Sequence, residues 1–190
     1  MLVNIEEIGD AGLELDEPIK VEFLQDALAH QGEETGFRPL RGARLKASLQ
    51  RLGGGVLLRG DFRVEVAAPC KRCLAEATTS LPVSFTLNLI PRQLLRDEDA
   101  GETEDEGESE RSGSFRLEDA DREVFDGKTI DLDPILREQV LLALPMNLVC
   151  GETCRGLCPV CGENLNVKQC GCERRVVDPR LMALKNIKLN

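Results

Sequence analysis

Eight cysteines carry most of the chemistry this 190-residue chain can offer. Six crowd the stretch CGETCRGLCPVCGENLNVKQCGC as Cys150, Cys154, Cys158, Cys161, Cys170 and Cys172, and two more, Cys70 and Cys73, stand in PCKRCL. Thiols at this density point to disulfides, a redox pair, an iron–sulfur cluster or zinc. A C-x2-C turn suits zinc because it offers two thiolates to one tetrahedral cation, and a structural site takes four such ligands. Read in chain order, Cys70 and Cys73 join Cys150 and Cys154, while Cys158 and Cys161 join Cys170 and Cys172. That gives two four-thiolate zinc sites. A single zinc held by Cys158 and Cys161 with one other pair is the alternative.

The competing chemistries each meet an obstacle. Disulfides need an oxidising compartment, and MLVNIEEIGDAGLELDEP has acids where a secretory leader needs bases, with no apolar core behind them. The longest apolar run, VLLALPM at 140–146, is too short to span a bilayer. A cytoplasmic location, with reduced thiols, is therefore expected. The C-x3-C-x2-C spacing of Cys154, Cys158 and Cys161 resembles the cluster motif of radical S-adenosylmethionine enzymes. Here, however, Val160 fills the position where that family usually has an aromatic, and too little chain follows to build a barrel. A redox C-x2-C wants its first cysteine at a helix N-terminus, whereas Cys70 leaves an alternating strand.

Nothing else nominates a catalytic centre. His30 is the only histidine, no phosphate-binding loop is present, and no pair of carboxylates stands out. A non-enzymatic protein without a small-molecule substrate is expected. The net charge of −10 is concentrated in DEDAGETEDEGESE at 97–110, whose nine acids leave only −1 for the rest. From Cys150 onward seven bases outnumber four acids. Arg155, Lys168, Arg174 and Arg175 are thus candidates for contact with RNA phosphates.

The elements that must position the cysteines follow from periodicity. ARLKASLQ and VLLRGDFRVEV alternate apolar and polar residues about the turn LGGG, which predicts a hairpin over 43–66. VSFTLNL predicts another strand, and PCKRCL falls in the connection. A further strand pair is expected around REVF and GKTIDL. The segment DPILREQVLLALP predicts the main helix, with Asp133 as cap, Pro134 at its first position, Pro145 as stop and a stripe of Ile135, Val140, Leu141 and Leu144. Residues 18–29 begin as a strand and turn helical at an undefined boundary. DPRLMALKNI predicts a short terminal helix capped by Asp178. Strands preceding helices favour an α+β fold: an antiparallel sheet body at 1–149 with a disordered acidic insertion at 97–111, then a zinc-knuckle module and terminal helix at 150–190.

PCKRCL, the segment DLDPILREQVLLALPMNLVC, the block GLCPVCGENLN, a C-x-C and the closing DPRLMALKNIKL together resemble the YceD family of large ribosomal RNA subunit accumulation proteins. The resemblance runs from about residue 40 to the end. It implies a ribosome-biogenesis role in the synthesis, processing or stability of large-subunit ribosomal RNA, without known catalysis. Relatives that lack GLCPxCG yet keep the upstream C-x2-C imply that Cys70, Cys73, Cys150 and Cys154 form an independent site. The expected partner is large-subunit ribosomal RNA or a pre-ribosomal particle. The alternative is an adaptor that binds a basic ribosomal protein. No membrane partner is expected.

Overall fold

A computed structural model of the chain describes residues 1–29, 35–93 and 122–172. His30, the acidic insertion at 97–111, Arg174, Arg175 and the terminal helix from Asp178 lie outside the described residues. The elements run β1 (Leu2–Asn4), a 3-10 turn (Ile5–Glu7), β2 (Leu13–Ile19), α1 (Val21–Leu28), β3 (Arg38–Pro39), β4 (Ala43–Leu52), β5 (Gly55–Pro69), β6 (Glu76–Pro91), β7 (Arg122–Phe125), β8 (Thr129–Asp131) and α2 (Leu132–Leu142). The fold is α+β.

The hairpin forms as its alternation requires. β4 and β5 pair antiparallel from Lys46↔Asp61 to Leu52↔Gly55. Gly53 and Gly54, with φ of 58° and 87°, supply the two left-handed residues of the tight turn. Leu45, Ala47 and Leu49 are buried, as are Val56, Leu58, Phe62, Val64 and Val66 opposite them. The sheet has the order β2-β4-β5-β6-β7, with β3 pairing the far end of β5. α1 lays Leu24 and Leu28 into one apolar cluster with the sheet, and α2 adds Leu132, Ile135, Leu136 and Val140. The two helices also meet through Arg137, which donates to the Asp26 carboxylate at 2.9 Å and stacks over the Phe23 ring.

Several expectations need correction. The chain before α1 is strand until Ile19, and the helix starts after Lys20, which has no side-chain cap. α2 is capped by Asp131, not Asp133, because its carboxylate accepts from the Asp133 N–H at 3.1 Å. Pro134 is then the third helical residue, still in the first turn where no intrahelical N–H partner exists. The helix ends at Leu142 rather than running to Pro145, since a proline drives the residue before it out of the helical region. Leu136 is buried, whereas Leu141 and Leu144 are only partly so.

β7 and β8 do not form a strand pair with each other. β7 runs parallel to β6, from Asn88↔Arg122 to Pro91↔Phe125, and β8 pairs antiparallel with β1 at the other end of the chain. Between them Asp126 accepts N–H bonds from Lys128 and Thr129, which holds its carboxyl below the usual range and bends the chain at Gly127. The sheet is therefore mixed rather than wholly antiparallel. Among the described residues no helix is long and apolar enough to cross a membrane.

The chain divides into two compact units, one of Met1–Ala67 with Thr78–Met146, the other of Ala68–Ala77 with Asn147–Asn190. Compared with a division at 149/150, this draws the PCKRCL turn out of the body and into the cysteine-rich unit. Within the first unit Gly60 has a packing reason: a Cβ there would lie 2.3 Å from Phe85 Cζ. The Phe85 ring meets Phe62 edge-on at 6.5 Å. Gly60→Ala is expected to cost about 1–2 kcal/mol by overpacking, read as a lower thermal midpoint in circular dichroism. An unchanged midpoint would show that the ring relocates without cost.

Candidate metal centres

The second unit has little to bury. Its described buried apolar side chains other than cysteine are Ala68, Ala77, Leu148 and Leu165, and among its described residues there is neither a helix nor an extended sheet of its own. Sulfur fills its interior instead. Cys70, Cys73, Cys150 and Cys154 form one group and Cys158, Cys161, Cys170 and Cys172 another, with the Sγ atoms of each group within 4.8 Å of one another. All eight cysteines are unbridged, and the Cys70–Cys154 and Cys73–Cys150 sulfurs stand 3.9 and 3.6 Å apart, well beyond the ~2.05 Å of a disulfide. The chain-order pairing is the one the fold adopts.

The two C-x2-C turns are built alike. Cys70 N–H donates to Ala75 O at 2.8 Å and Leu74 N–H to Cys70 O at 2.9 Å. The other turn repeats this: Cys158 N–H donates to Glu163 O at 2.8 Å and Gly162 N–H to Cys158 O at 2.9 Å. Each turn closes on a left-handed residue after its second cysteine, Gly162 at φ 74° and Leu74 at φ 60°. Leu74 is the only non-glycine residue with positive φ among the described residues. The sequence gives no hint of this strain, because leucine is a poor choice for that conformation.

Backbone N–H groups aimed at sulfur set the thiols' acidity. Burial raises Cys70, but N–H donors from Cys150, Cys73 and Arg72 outweigh it and bring the thiol to about 6. The N–H groups of Cys161 and Val160, and then the Cys170 thiol, bring Cys158 to about 6 as well. Crowding acts in the opposite sense on their neighbours. The sulfurs of Cys154 and Cys73 push Cys150 up to about 12, and those of Cys161 and Cys170 push Cys172 up to about 12. Four sulfurs this close cannot all ionise unaided, whereas a divalent cation at the centre removes that obstacle. An all-thiolate tetrad fits zinc or another soft, tetrahedral ion.

The rest of the unit straps the two groups together. Lys71 N–H donates to Leu148 O at 2.9 Å and Leu157 N–H to Arg72 O at 3.0 Å. The Arg72 guanidinium donates to Glu152 O and Cys154 O, both at 3.2 Å. Gly156, at φ 74°, leaves only 3.1 Å between its virtual Cβ and Arg72 O, so any side chain there strains the strap. Asn164 and Asn166, which drew no attention in the sequence beyond their place in GENLN, organise the second loop. Arg155 and Lys168 are both exposed. Arg155 lines an open cleft of about 540 Å³ with Leu165, Gln169 and Cys170.

Only part of the basic excess after Cys150 falls within the described residues, since Arg174, Arg175 and the bases after them lie outside these. The unit's described bases are Lys71, Arg72, Arg155 and Lys168, against Glu76, Glu152 and Glu163. Four thiolates around one divalent ion leave two negative charges over, so loading both tetrads turns the described part acidic. In the first unit burial, with Glu138 nearby, raises the Glu123 carboxyl; it lines a cleft of about 310 Å³ with Phe125, Ile130 and Ile135.

Leu74→Gly isolates the strain of the first turn. Because Leu74 is 65% exposed, its removal forfeits little burial. The variant is expected to be more stable by about 1 kcal/mol, seen as a higher midpoint in denaturation. A lower midpoint would mean that the leucine side chain holds the turn by contacts.

Comparison with known proteins bears on the same residues. A family model described as large ribosomal RNA subunit accumulation protein YceD matches residues 58–188, which include both tetrads. A Zea mays protein named large ribosomal RNA subunit accumulation protein YCED homolog 1, chloroplastic, is 28% identical over 156 residues, covering 76% of this chain and 53% of its own length. Its Arabidopsis thaliana namesake is 26% identical over 141 residues, covering 69% and 44%. An uncharacterized Mycobacterium tuberculosis protein is 34% identical over 154 residues, covering 73% and 65%. The chain thus spans about half the length of the plant relatives it matches. No solved structure matches it. With the family model spanning most of the sequence and every cysteine of both tetrads, this chain belongs to the YceD family.

Proposed function

We propose that this protein is a non-enzymatic ribosome-biogenesis factor that supports accumulation of large-subunit ribosomal RNA, with a unit folded around two structural zinc ions. The observation that carries the zinc reading is the gathering of eight thiols into two tetrads in a unit whose described residues bury few apolar side chains. Structural zinc contributes about 10–16 kcal/mol of apparent binding free energy per site, ample to order a short irregular segment. The ligands are Cys70, Cys73, Cys150 and Cys154 for one ion and Cys158, Cys161, Cys170 and Cys172 for the other. The role in ribosomal RNA draws its support from the family. The protein acts in the cytoplasm or an equivalent bacterial-type interior, where such thiols stay reduced.

RNA contact would run through Arg155, Lys168, Arg174 and Arg175 to phosphates. With no Trp or Tyr in the chain, stacking of bases contributes little. A second reading has its own observation in favour. The surplus thiolate charge, and the exposed Leu74, Val160 and Val167 in the same unit, suit a basic protein with apolar contacts better than a polyanion. In that reading the chain is an adaptor for a basic large-subunit ribosomal protein.

Three measurements test these assignments. Serine in place of Cys70 and Cys73, or of Cys158 and Cys161, should each lower zinc from two equivalents to one by elemental analysis; unchanged content in either would refute that tetrad. In cells, depletion of the protein should lower large-subunit ribosomal RNA relative to small-subunit RNA, with rescue by the intact chain but not by either serine pair. Reversing Arg174 and Arg175 should weaken binding to large-subunit RNA and flatten its salt dependence. Unaltered RNA binding beside capture of a basic ribosomal protein would favour the adaptor.

A further inference from the structure

One side chain bridges the two tetrads. Asn166 lies in the loop between Cys161 and Cys170, both in the second group, yet its Nδ2 donates to Sγ of Cys154, in the first, at 3.3 Å. The orientation of the amide is forced. Its Oδ1 accepts the Arg155 backbone N–H at 2.8 Å, and since that group can only donate, the NH2 end must turn to the sulfur. Its other hydrogen goes to Asn164 Oδ1 at 2.9 Å, which also accepts the Asn166 backbone N–H at 3.0 Å. Leu165 N–H donates to Gly156 O at 3.0 Å, so the loop is tied at its middle to the segment that carries Cys154.

We propose that Asn166 couples the two centres: an ion in the second tetrad closes the loop that aims this amide at Cys154, and the first tetrad holds its own ion more tightly as a result. The inference rests on the reading of both tetrads as metal centres. A hydrogen bond from Asn166 draws charge off one of four crowded thiolates, which favours the ionised ligand. Closing the loop matters because its ends, Cys161 and Cys170, are exposed and half-buried with few backbone bonds of their own. Coupling of this kind is reciprocal, so an ion in the first tetrad must tighten the second by the same factor.

The test is a zinc competition titration of the whole chain against a chromophoric chelator. Asn166→Asp keeps the shape and the acceptor for Arg155 N–H but removes the donor to sulfur. It is expected to leave two equivalents bound, one of them about 10-fold weaker than in the parent. Emptying the second tetrad with Cys170→Ser and Cys172→Ser should weaken the remaining site by a similar factor. Emptying the first with Cys70→Ser and Cys73→Ser should weaken the second equally. As a readout of the bond itself, the sulfur-to-cobalt charge-transfer bands of the cobalt-loaded protein should shift in Asn166→Asp. Parent affinities in all these variants, with two equivalents bound by the parent, would overturn the coupling while leaving the centres intact. A parent chain that binds no metal would instead overturn the reading beneath it, and the coupling with it.

Discussion

Four sulfurs within 4.8 Å of one another cannot all ionise unless something positive sits among them, and the second unit contains two such groups. Everything else in that unit follows from this constraint. Two leucines and two alanines cannot offset the conformational entropy of the described segments. The backbone compensates by turning N–H groups onto sulfur, which pulls Cys70 and Cys158 down to about 6 while their crowded neighbours Cys150 and Cys172 stay near 12. A divalent cation converts that divided set into four equivalent ligands. On the proposed zinc reading, metal binding and folding of the unit are one event.

The first unit has the opposite economy. Its sheet and two helices share a continuous apolar cluster, and among the described residues no polar side chain is buried. It needs no metal, and its strand order follows from ordinary alternation. The PCKRCL turn occupies the link between β5 and β6, so the longest strands of the chain hand directly into and out of the first tetrad. The two units thus differ in what they bury: alternating apolar side chains in the first, and among the described residues of the second two leucines, two alanines and three cysteines.

Much of this was legible in the residues. C-x2-C spacing and chain order identified both tetrads, and period-two alternation identified β4, β5 and the VSFTLNL part of β6, because both signals are local. The errors were of other kinds. Asp131 and Asp133 both offer themselves as the α2 cap in DLD, and only geometry decides which side chain folds back. The β1–β8 pairing joins residues some 127 apart in the chain and leaves no periodic trace. Leu74 was invisible because its φ of 60° violates leucine's own preference.

X-ray absorption at the zinc edge of the purified chain tests the central claim most directly. The account predicts sulfur as the sole ligand, about four per zinc at about 2.3 Å, in both centres. Oxygen or nitrogen scatterers at shorter distance in place of sulfur, or a metal-free chain whose second unit is nonetheless folded, would contradict it.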